Sequence, residues 1–346
     1  MKEIHINASR KYTVTIGNDL LSQIGHTVRS VTKATKVCIV TDHNLRSKHR
    51  YFQEITDSLK DAGLEICHFI IHTGESSKNH ENYFLLLNFL AQSNLTRNDC
   101  IIAFGGGVVG DLAGFVAATY LRGIPYIQVP TSLLAMVDSS VGGKTGIDLP
   151  AGKNLVGAFY QPSAVICSTN TLDTLSVEEF RNGCAEVIKY AILFDPELFA
   201  HLEECSISFD RQWVISRCID WKRKAVEFDE FDTGMRMLLN LGHTIGHAVE
   251  TCSHYTISHG HAVAIGTAMV SRASHCIDTN RITSLFSKFQ LPTSTTISTA
   301  ALTNAALSDK KRTGNTINLI IPESIGRCTV VNTPTTQLHA FIEAGL

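Results

Sequence analysis

Short runs of apolar residues alternate with longer segments of helical spacing through the first 130 residues. Four of these runs have the length and composition of buried strands, and they cover residues 37–41, 65–71, 100–104 and 126–129. Apolar side chains at helical spacing fill the intervals, over residues 45–59, over 82–90 and up to about residue 121. Strands that alternate with helices predict parallel βαβ units. We therefore expect an α/β, doubly wound parallel sheet, and the strand at 126–129 closes this series of alternating strands and helices.

After about residue 175 the pattern changes, and most of the remaining chain has helical spacing. The predicted helices cover residues 177–193, 212–228, 236–247 and 262–277, and a last amphipathic helix covers 335–343. Two apolar runs at 317–321 and 327–331 predict a β-hairpin. The chain is too long for one ordinary core. We therefore predict an N-terminal α/β domain over residues 1–172 and a mostly α-helical C-terminal domain over 173–346.

Composition and charge narrow the class of protein. Of the 346 residues 44% are hydrophobic, and the formal net charge of −2 provides no basic field for nucleic acid. We also expect no membrane partner, because no apolar run reaches the roughly 20 residues that span a bilayer. The ten cysteines never form a Cys-x-x-Cys pair. Such scattered cysteines are typical of reduced thiols, so we predict a cytoplasmic protein.

A stripe of polar residues occurs within the apolar segment at 236–247. Arg236, Asn240, His243 and His247 follow each other at spacings of four, three and four, which places them on one face of a helix. Burial of such a stripe is costly unless each member has a partner. The neighbouring residues are mostly leucine and isoleucine, with almost no ordinary surface residues. We interpret the stripe as the lining of a site rather than as a solvated helix face.

A second predicted helix adds a carboxylate and an ammonium. Glu186 and Lys189 lie on one face of a segment that is otherwise apolar, and a buried pair of charges requires a third partner such as a metal ion. One carboxylate and two imidazoles are a common ligand set for catalytic zinc. The candidate ligands are Glu186, His243, His247, His259 and His261. Spacing alone leaves open which two histidines bind the metal. His254 and His261 lie in a predicted short loop, so we expect them at the surface or beside the ligands.

A glycine-rich turn provides a candidate nucleotide-binding site in the N-terminal half. Gly105-x-Gly107-x-x-Gly110 lies between a predicted strand and a predicted helix, where backbone N–H groups can hold a pyrophosphate. The acidic residue expected about 20 positions later is missing. Asp42 ends an earlier strand and could receive a ribose hydroxyl instead. A turn that serves packing alone is the alternative, and we favour nucleotide binding.

Two more turns carry lysines among small residues, Gly-Gly-Lys144-Thr and Gly-Lys153-Asn154. Backbone N–H groups together with an ammonium suit a phosphate or a carboxylate. The first turn is not a Walker P-loop, because the Gly-x4-Gly-Lys spacing is absent. These turns predict an oxyanion-binding site on the N-terminal domain, with a polar surface loop as the alternative.

Several longer motifs resemble those of the 3-dehydroquinate synthases, a family of sugar phosphate cyclases in the shikimate pathway. The resemblance extends from about residue 37 to residue 311 and rests on motifs that are long and uncommon. These motifs are Arg122-Gly, Gln128-Val-Pro-Thr, Val137-Asp-Ser-Ser-Val-Gly-Gly-Lys-Thr145, Gly152-Lys-Asn154, Gly157-Ala-Phe-Tyr-Gln-Pro162, Ala185-Glu-Val-Ile-Lys189 and Leu239-Asn-Leu-Gly-His-Thr244.

The resemblance implies an NAD-binding α/β domain, a mainly helical metal- and substrate-binding domain, and a homodimer. It implies that a small phosphorylated sugar acid, 3-deoxy-D-arabino-heptulosonate 7-phosphate, is converted to 3-dehydroquinate and phosphate. In the implied reaction the substrate is oxidised transiently, phosphate is eliminated, the hydride returns, and an intramolecular aldol addition closes the ring. The implied cofactors are NAD and Zn2+ or Co2+.

The resemblance also implies which residues bind the metal and NAD. Glu186, His243 and His259 are the implied metal ligands, and His247 is an active-site residue beside the metal. The positions expected to bind NAD are Asp42, Glu75, Lys78, Gly105, Gly106, Gly107, Asp111, Thr131, Ser132, Lys153, Thr171 and Thr174.

A further group of positions is implied to contact the substrate. Arg122 is expected to reach the substrate phosphate from the other subunit, and either Lys310 or Lys311 is expected to approach it as well. The remaining positions of this group are Asp138, Lys144, Asn154, Lys189, Lys222, Arg236 and Asn240.

Other classes of function stay open on the sequence. A metal-dependent, NAD-linked polyol dehydrogenase has a similar two-domain plan, but it reduces NAD and does not need so many cationic contacts to phosphate. Another sugar phosphate cyclase is a nearer alternative, although Arg236 and Asn240 keep the form of the dehydroquinate synthases. A non-catalytic nucleotide-binding protein leaves the polar stripe unexplained.

Overall fold

The computed structural model describes residues 1–47, 49–308 and 312–346 and contains two compact units. Unit 1 consists of Met1–Leu175 and Arg211–Phe231, and unit 2 consists of Ser176–Asp210 and Asp232–Leu346. The chain first leaves unit 1 three residues after the division predicted at 172/173. The sequence places residues 211–231 in the helical domain, whereas the structure returns them to the α/β unit.

The described residues form twelve strands, and their bounds in chain order are β1 (Lys2–Asn7), β2 (Lys11–Gly17), β3 (Lys36–Asp42), β4 (Glu65–Ile71), β5 (Cys100–Gly105), β6 (Tyr126–Pro130), β7 (Lys144–Leu149), β8 (Gly152–Phe159), β9 (Ala164–Ser168), β10 (Arg312–Thr313), β11 (Thr316–Ser324) and β12 (Arg327–Pro334). They also form thirteen α-helices, which are α1 (Ile24–Val31), α2 (His43–Ser47), α3 (His49–Asp61), α4 (His80–Gln92), α5 (Gly107–Thr119), α6 (Val177–Phe194), α7 (Pro196–Cys205), α8 (Arg211–Phe228), α9 (His243–Cys252), α10 (His259–Ala273), α11 (Thr279–Lys288), α12 (Thr299–Leu307) and α13 (Leu338–Gly345).

Seven strands of unit 1 form one sheet in the order β1-β2-β9-β6-β5-β3-β4. β1 pairs antiparallel with β2, and the other neighbouring pairs are parallel. β3 and β5 are neighbours, yet the chain leaves β3 towards β4 on one side and continues from β5 to β6 on the other. Open α/β sheets bind their ligands at the carboxyl ends of the strands where such a reversal occurs, which here are β3 and β5.

The predicted doubly wound parallel sheet is confirmed, and its four predicted strands are β3, β4, β5 and β6. Beyond the strand at 126–129 the sheet continues with β9 and β2, which the sequence did not predict. The described residues of the helix predicted over 45–59 belong to α2 and α3. β3 and β5 were predictable because both of their faces are buried, with Ile39 and Phe104 on one face of the sheet and Val40 and Ala103 on the other.

The position of α8 depends on contacts that are distant in sequence. The Glu227 carboxylate accepts a hydrogen bond from the backbone N–H of Asn7 at 2.8 Å, and Glu230 accepts one from the N–H of Ser9 at 2.8 Å. These partners are 220 and 221 residues apart in the chain. The helix therefore belongs to unit 1, although its spacing resembles that of the helices in unit 2.

Unit 2 contains α6, α7 and α9 to α13 together with a three-stranded sheet in the order β10-β11-β12. The predicted hairpin is confirmed by the antiparallel pair β11 and β12. From Phe180 to Leu193 the α6 helix is buried at nearly every position, as its apolar sequence predicts. Among the described residues, no helix has both the length and the apolar character needed to cross a bilayer.

Candidate active site

Three side chains of unit 2 bring one carboxylate and two imidazoles together. Glu186 comes from α6, His243 is the first residue of α9, and His259 is the first residue of α10. Their ligand atoms all lie within 4.8 Å of one another. Glu186 Oε1 is 3.5 Å from His243 Nε2 and 3.4 Å from His259 Nε2, and Glu186 is fully buried. These are the three residues that the resemblance implies as metal ligands.

The outer nitrogen of each imidazole in this cluster faces an oxygen acceptor. His243 Nδ1 lies 3.0 Å from the carbonyl oxygen of Leu241, and His259 Nδ1 lies 3.3 Å from Glu250 Oε2. In the neutral tautomer with its proton on Nδ1, each imidazole offers its Nε2 lone pair to a metal ion, which is the usual arrangement of metal-binding histidines. With a metal ion bound, one carboxylate and two neutral imidazoles would leave a coordination position open to a substrate. The donor set therefore fits a zinc- or cobalt-type divalent ion.

Positive charge stabilises the buried carboxylate of this cluster. Burial lowers the pKa of His259, but hydrogen bonds and charge from Glu186 and Glu250 outweigh burial and raise that pKa to about 9. Lys189, almost one turn further along α6, is also buried and forms an ion pair with Glu186. A bound cation would take over the role of this positive charge.

A second group of possible ligands overlaps the first. His247, Glu250 and His259 also place their ligand atoms within 4.8 Å of one another. The group with Glu186 is the better ligand set, because in it both imidazoles keep an oxygen acceptor on Nδ1. His261 belongs to neither group, and it lies in the first turn of α10 rather than in the predicted loop.

The polar stripe does not lie on one continuous helix, contrary to the sequence prediction. Arg236 and Asn240 belong to a 3-10 helix over Met235–Asn240, and α9 begins only at His243. The break falls at Gly242, whose φ of 76° lies in the left-handed region that favours glycine. The stripe is therefore divided into two segments that differ in direction.

Gly242 also allows a close approach between α9 and α10. A β-carbon at Gly242 would lie 2.2 Å from Thr267 Oγ1 and 2.7 Å from the carbonyl oxygen of Val263. A β-carbon at Gly266 would lie 2.1 Å from the carbonyl oxygen of Gly242. Because both sides of this contact lack a side chain, the backbones of the two ligand-bearing helices come close enough for their histidines to meet.

We expect Gly242→Ala to lower the free energy of unfolding by about 3 kcal/mol, because it adds steric overlap to left-handed strain. Gly314→Ala is the matched control, since Gly314 has a φ of 61° and, apart from its two chain neighbours, no described atom lies within 4 Å of an added β-carbon. The control should lose about 1 kcal/mol from strain alone. Urea unfolding followed by circular dichroism measures both losses. Equal losses would contradict the close approach of α9 and α10.

The candidate NAD-binding residues of unit 1 share one edge of the sheet. Each group ends or follows a parallel strand at its carboxyl end, and these strands are neighbours. In sheet order the residues are Thr171 and Thr174 after β9, Thr131 and Ser132 after β6, Gly105, Gly106, Gly107 and Asp111 at and after the end of β5, Asp42 at the end of β3, and Glu75 and Lys78 after β4. The sheet thus brings together residues that are far apart in sequence, and their edge includes the carboxyl ends of β3 and β5, where the strand order reverses.

The glycine turn between β5 and α5 has little room for side chains. A β-carbon at Gly105 would lie 2.5 Å from Val109, and one at Gly107 would lie 3.2 Å from Ser139 Oγ. Gly106 is the residue immediately before the first turn of α5. Backbone N–H groups at such a helix start can bind a pyrophosphate, so the turn fits the phosphates of a dinucleotide.

Lys78 organises a group of carboxylates at the same edge. It is buried, and its Nζ lies 2.8 Å from Glu75, 3.3 Å from Asp111 and 3.7 Å from Asp148. Burial lowers the pKa of Lys78, but the three carboxylates outweigh burial and raise it above its usual value. Burial raises the pKa of Asp111 to about 6 despite the ammonium. Lys153 lies 3.9 Å from Glu75, which ties the β7–β8 hairpin to this edge.

The residues expected to contact substrate are spread over both units. In unit 1, Lys222 of α8 is buried and forms an ion pair with Asp138, which lies in a short helical turn. Lys144 begins β7 and Asn154 lies on β8, and both are exposed. In unit 2, the most deeply buried of these residues besides Lys189 is Arg236, which is 1% exposed.

Arg122 lies in unit 1 at the opposite end of α5 from the glycine turn. It is exposed in a 3-10 turn that follows the helix, whereas Gly107 is the first residue of the helix. The 13 residues of α5 span about 20 Å. Ser139 lies beside Gly107. Within one chain, Arg122 is therefore far from both Gly107 and Ser139. Lys310 and Lys311 lie outside the described residues.

Glu250 is a residue of the cluster that the sequence prediction missed. It follows His243 by seven positions and His247 by three, so it lies on the same face of α9. It is buried and contacts His259. A buried carboxylate at helical spacing from two candidate ligands is the signal that could have identified it.

The chain matches two family models over adjacent segments. Residues 68–182 match the model described as 3-dehydroquinate synthase N-terminal, and residues 183–312 match the one described as 3-dehydroquinate synthase C-terminal. A 3-dehydroquinate synthase of Enterococcus faecalis is 41% identical over 346 aligned residues, which cover 96% of each chain. Sequence similarity therefore extends through both units.

Two solved structures are similar over nearly the whole chain. A 2-epi-5-epi-valiolone synthase from Streptomyces hygroscopicus subsp. jinggangensis, with NAD+ and Zn2+ bound, has a TM-score of 0.87 at 26% identity and covers 100% of this chain and 96% of its own. A 2-deoxy-scyllo-inosose synthase complexed with carbaglucose-6-phosphate, NAD+ and Co2+ has a TM-score of 0.86 at 21% identity and covers 100% of both chains. The second likeness concerns the fold alone.

Proposed function

Because the chain belongs to the 3-dehydroquinate synthase family, we propose that it converts 3-deoxy-D-arabino-heptulosonate 7-phosphate to 3-dehydroquinate and phosphate. The observation that carries the proposal is the cluster of Glu186, His243 and His259, which offers the ligand set of a catalytic metal. The reaction combines phosphate elimination with ring closure, and it involves no net oxidation.

We propose that this cluster holds a divalent zinc or cobalt ion. When bound, such an ion lowers the pKa of a substrate hydroxyl, as zinc lowers that of bound water to about 7. The chain itself holds the two imidazoles by their outer nitrogens, so that Nε2 of each is available. His247 lies half-buried on α9 with its ring centroid 5.5 Å from that of His243, where it suits proton transfer beside the metal.

We propose that unit 1 binds NAD along the carboxyl edge of its sheet. The glycine turn of Gly105, Gly106 and Gly107 suits the pyrophosphate, and Asp42 suits a ribose hydroxyl. The backbone N–H of Leu45 donates to Asp42 Oδ1 at 3.0 Å, which holds the carboxylate at the end of β3. When bound, NAD supplies a hydride acceptor that returns the hydride within the same turnover.

We propose that different cationic side chains bind the two anionic groups of the substrate. Lys222 and Arg236 suit the carboxylate, since a planar guanidinium can donate two parallel hydrogen bonds to it. Asp138 holds the ammonium of Lys222 in place. Lys144 and Asn154 suit the phosphate, where each charge-assisted hydrogen bond contributes roughly 1.5–3 kcal/mol.

We propose that the protein is a homodimer in which each chain supplies Arg122 to the site of the other chain. The length of α5 keeps Arg122 away from the glycine turn of its own chain. Unit 1 also exposes apolar side chains along β8, where Leu155 is 46%, Val156 36% and Phe159 41% exposed. Among the described residues β8 pairs only with β7. An apolar edge strand of this kind fits pairing with a second copy.

We propose a cytoplasmic location for this enzyme. All ten cysteines are free thiols. Five of them are fully buried, namely Cys38, Cys100, Cys167, Cys184 and Cys218. Buried thiols distributed over both units are typical of proteins from reducing compartments. The chain therefore needs no oxidising environment to complete its fold.

Release of phosphate from the heptulosonate phosphate tests the proposed reaction. With NAD and zinc present, we expect one phosphate for each 3-dehydroquinate and no accumulation of NADH. Removal of NAD, or addition of a chelator, should stop the release in separate trials. NADH that accumulates without phosphate release would favour a polyol dehydrogenase, and release that survives chelation would contradict the metal site.

A further inference from the structure

The acceptors on the two imidazoles of the metal cluster differ in kind. His243 is held by a main-chain carbonyl, that of Leu241, whereas His259 is held by the carboxylate of Glu250. A side-chain substitution can remove the second acceptor but not the first. His259 is therefore the ligand whose ring orientation depends on another side chain.

The backbone of His259 is fixed independently of Glu250. Asn182, one turn before Glu186 on α6, accepts a hydrogen bond from the backbone N–H of Gly260. A β-carbon at Gly260 would lie 2.0 Å from the carbonyl oxygen of Asn182, so the start of α10 rests directly on α6. These contacts determine where His259 begins its helix. They do not determine how its imidazole ring is rotated.

Glu250 reaches that ring from the helix that carries the other imidazole ligand. It lies two turns along α9 from His243, and the glycine contacts between α9 and α10 bring its carboxylate 3.3 Å from His259 Nδ1. Glu250 is 3% exposed, and a carboxylate is costly to bury unless it has a partner. The outer nitrogen of His259, an implied metal ligand, is such a partner.

We propose that Glu250 is a positioning residue of the metal site, which accepts the Nδ1 proton of His259 and so directs the Nε2 lone pair towards the metal. A carboxylate on the outer nitrogen also makes the imidazole a stronger donor. Glu250 is not itself a ligand in this arrangement. The inference rests on the metal site of the proposed function.

Metal affinity of Glu250 variants tests the inference. Glu250→Gln keeps the shape and one oxygen acceptor but loses the charge, whereas Glu250→Leu removes the acceptor. We expect the zinc dissociation constant to rise about 10-fold in the first and up to about 100-fold in the second. The visible absorption bands of the cobalt-loaded variants should also shift, because a rotated imidazole changes the coordination of the ion. Glu343→Gln removes an exposed carboxylate from α13 and should behave as wild type.

Thermal unfolding of the metal-free proteins separates positioning from general stability. Variants that unfold at lower temperature but bind zinc as tightly as wild type would overturn the inference. Variants whose zinc affinity and cobalt spectra equal those of wild type would overturn the inference as well. If Glu250→Leu does not fold, the comparison of Glu250→Gln with wild type is sufficient.

Metal stoichiometry gives the remaining outcomes. If wild type binds two zinc ions and Glu250→Gln binds only one, Glu250 is a ligand in the overlapping group with His247 and His259. That result would overturn the inference. If wild type binds no metal, the proposed function itself fails. If wild type binds zinc tightly and the variants bind it equally, only the inference about Glu250 fails.

Discussion

We expect Glu186→Ala to abolish metal binding and to lower turnover by about 10³-fold or more. Glu186 supplies the oxygen at which Nε2 of both His243 and His259 point, at 3.5 Å and 3.4 Å. Without it two imidazoles remain, which is one ligand fewer than catalytic zinc sites use. Charge stabilisation by a metal ion is worth several kcal/mol, and each step of about 1.4 kcal/mol changes a rate tenfold.

Metal content after dialysis and turnover with added zinc measure this effect. Glu178→Ala is the matched control, because Glu178 lies on the same helix in its exposed first turn. The control should keep full metal occupancy and most of its turnover. Full zinc occupancy in Glu186→Ala would remove Glu186 from the ligand set and would favour the group of His247, Glu250 and His259.

Stability needs a separate check in this variant. Lys189 is 1% exposed and loses the carboxylate of Glu186 as its ion-pair partner. Removing one member of a buried pair costs about 3–5 kcal/mol, so Glu186→Ala can also unfold more easily. Glu186→Gln keeps the shape and loses only the charge. Loss of zinc in a folded Glu186→Gln protein would assign the defect to the ligand rather than to folding.

The sheet of unit 1 could be predicted from the sequence where burial dictates composition. β3 and β5 are covered on both faces, so their sequences are nearly continuous apolar runs. β1 and β2 alternate between exposed and buried residues and carry polar side chains at the sheet margin. This alternation is a weaker signal of a strand in the sequence than the continuous apolar runs of β3 and β5. β1 and β2 were therefore missed. β9 was missed as well, although it is buried throughout between β2 and β6, whereas β4 was found at the opposite margin of the sheet.

The sequence pattern alone was not sufficient to identify the histidine ligands of the metal cluster. Helical spacing correctly places His243 and His247 on one face of α9, but a shared face does not make both of them ligands. His259 joins His243 because the backbones of α9 and α10 approach each other at Gly242 and Gly266. That approach depends on a left-handed glycine and on helix packing, neither of which has a periodicity in the sequence. The resemblance to a family singled out the three residues that packing brings together.

We expect two chains that are each impaired as homodimers to restore activity when they are combined in one heterodimer. One chain carries Arg122→Ala and keeps its metal ligands, and the other carries Glu186→Ala and keeps Arg122. If the arginine serves the partner's site, the first chain's metal site receives the arginine of the second chain. The heterodimer, purified through two different affinity tags, then has one intact site and about half of the wild-type turnover.

The local structure around Arg122 suits such a role. Leu121, Arg122 and Gly123 have φ values of 50°, 67° and 114°, so the chain turns sharply away from the end of α5. Non-glycine residues in this region are strained and tend to occur at functional sites. Arg122 is exposed there, and a lost contact between a guanidinium and phosphate costs roughly 1.5–3 kcal/mol. The Arg122→Ala homodimer should therefore retain about a tenth of wild-type turnover or less.

The same two substitutions placed in one chain provide the control. A heterodimer of a wild-type chain with a chain that carries both Arg122→Ala and Glu186→Ala has the same composition as the first heterodimer. Its wild-type metal site receives no arginine and its other site holds no metal, so we expect little turnover. If Arg122 serves its own chain, the outcome is reversed, and this control keeps about half of the activity while the first heterodimer has almost none. The comparison therefore separates the two arrangements whatever each substitution costs by itself, because both heterodimers contain the same residues.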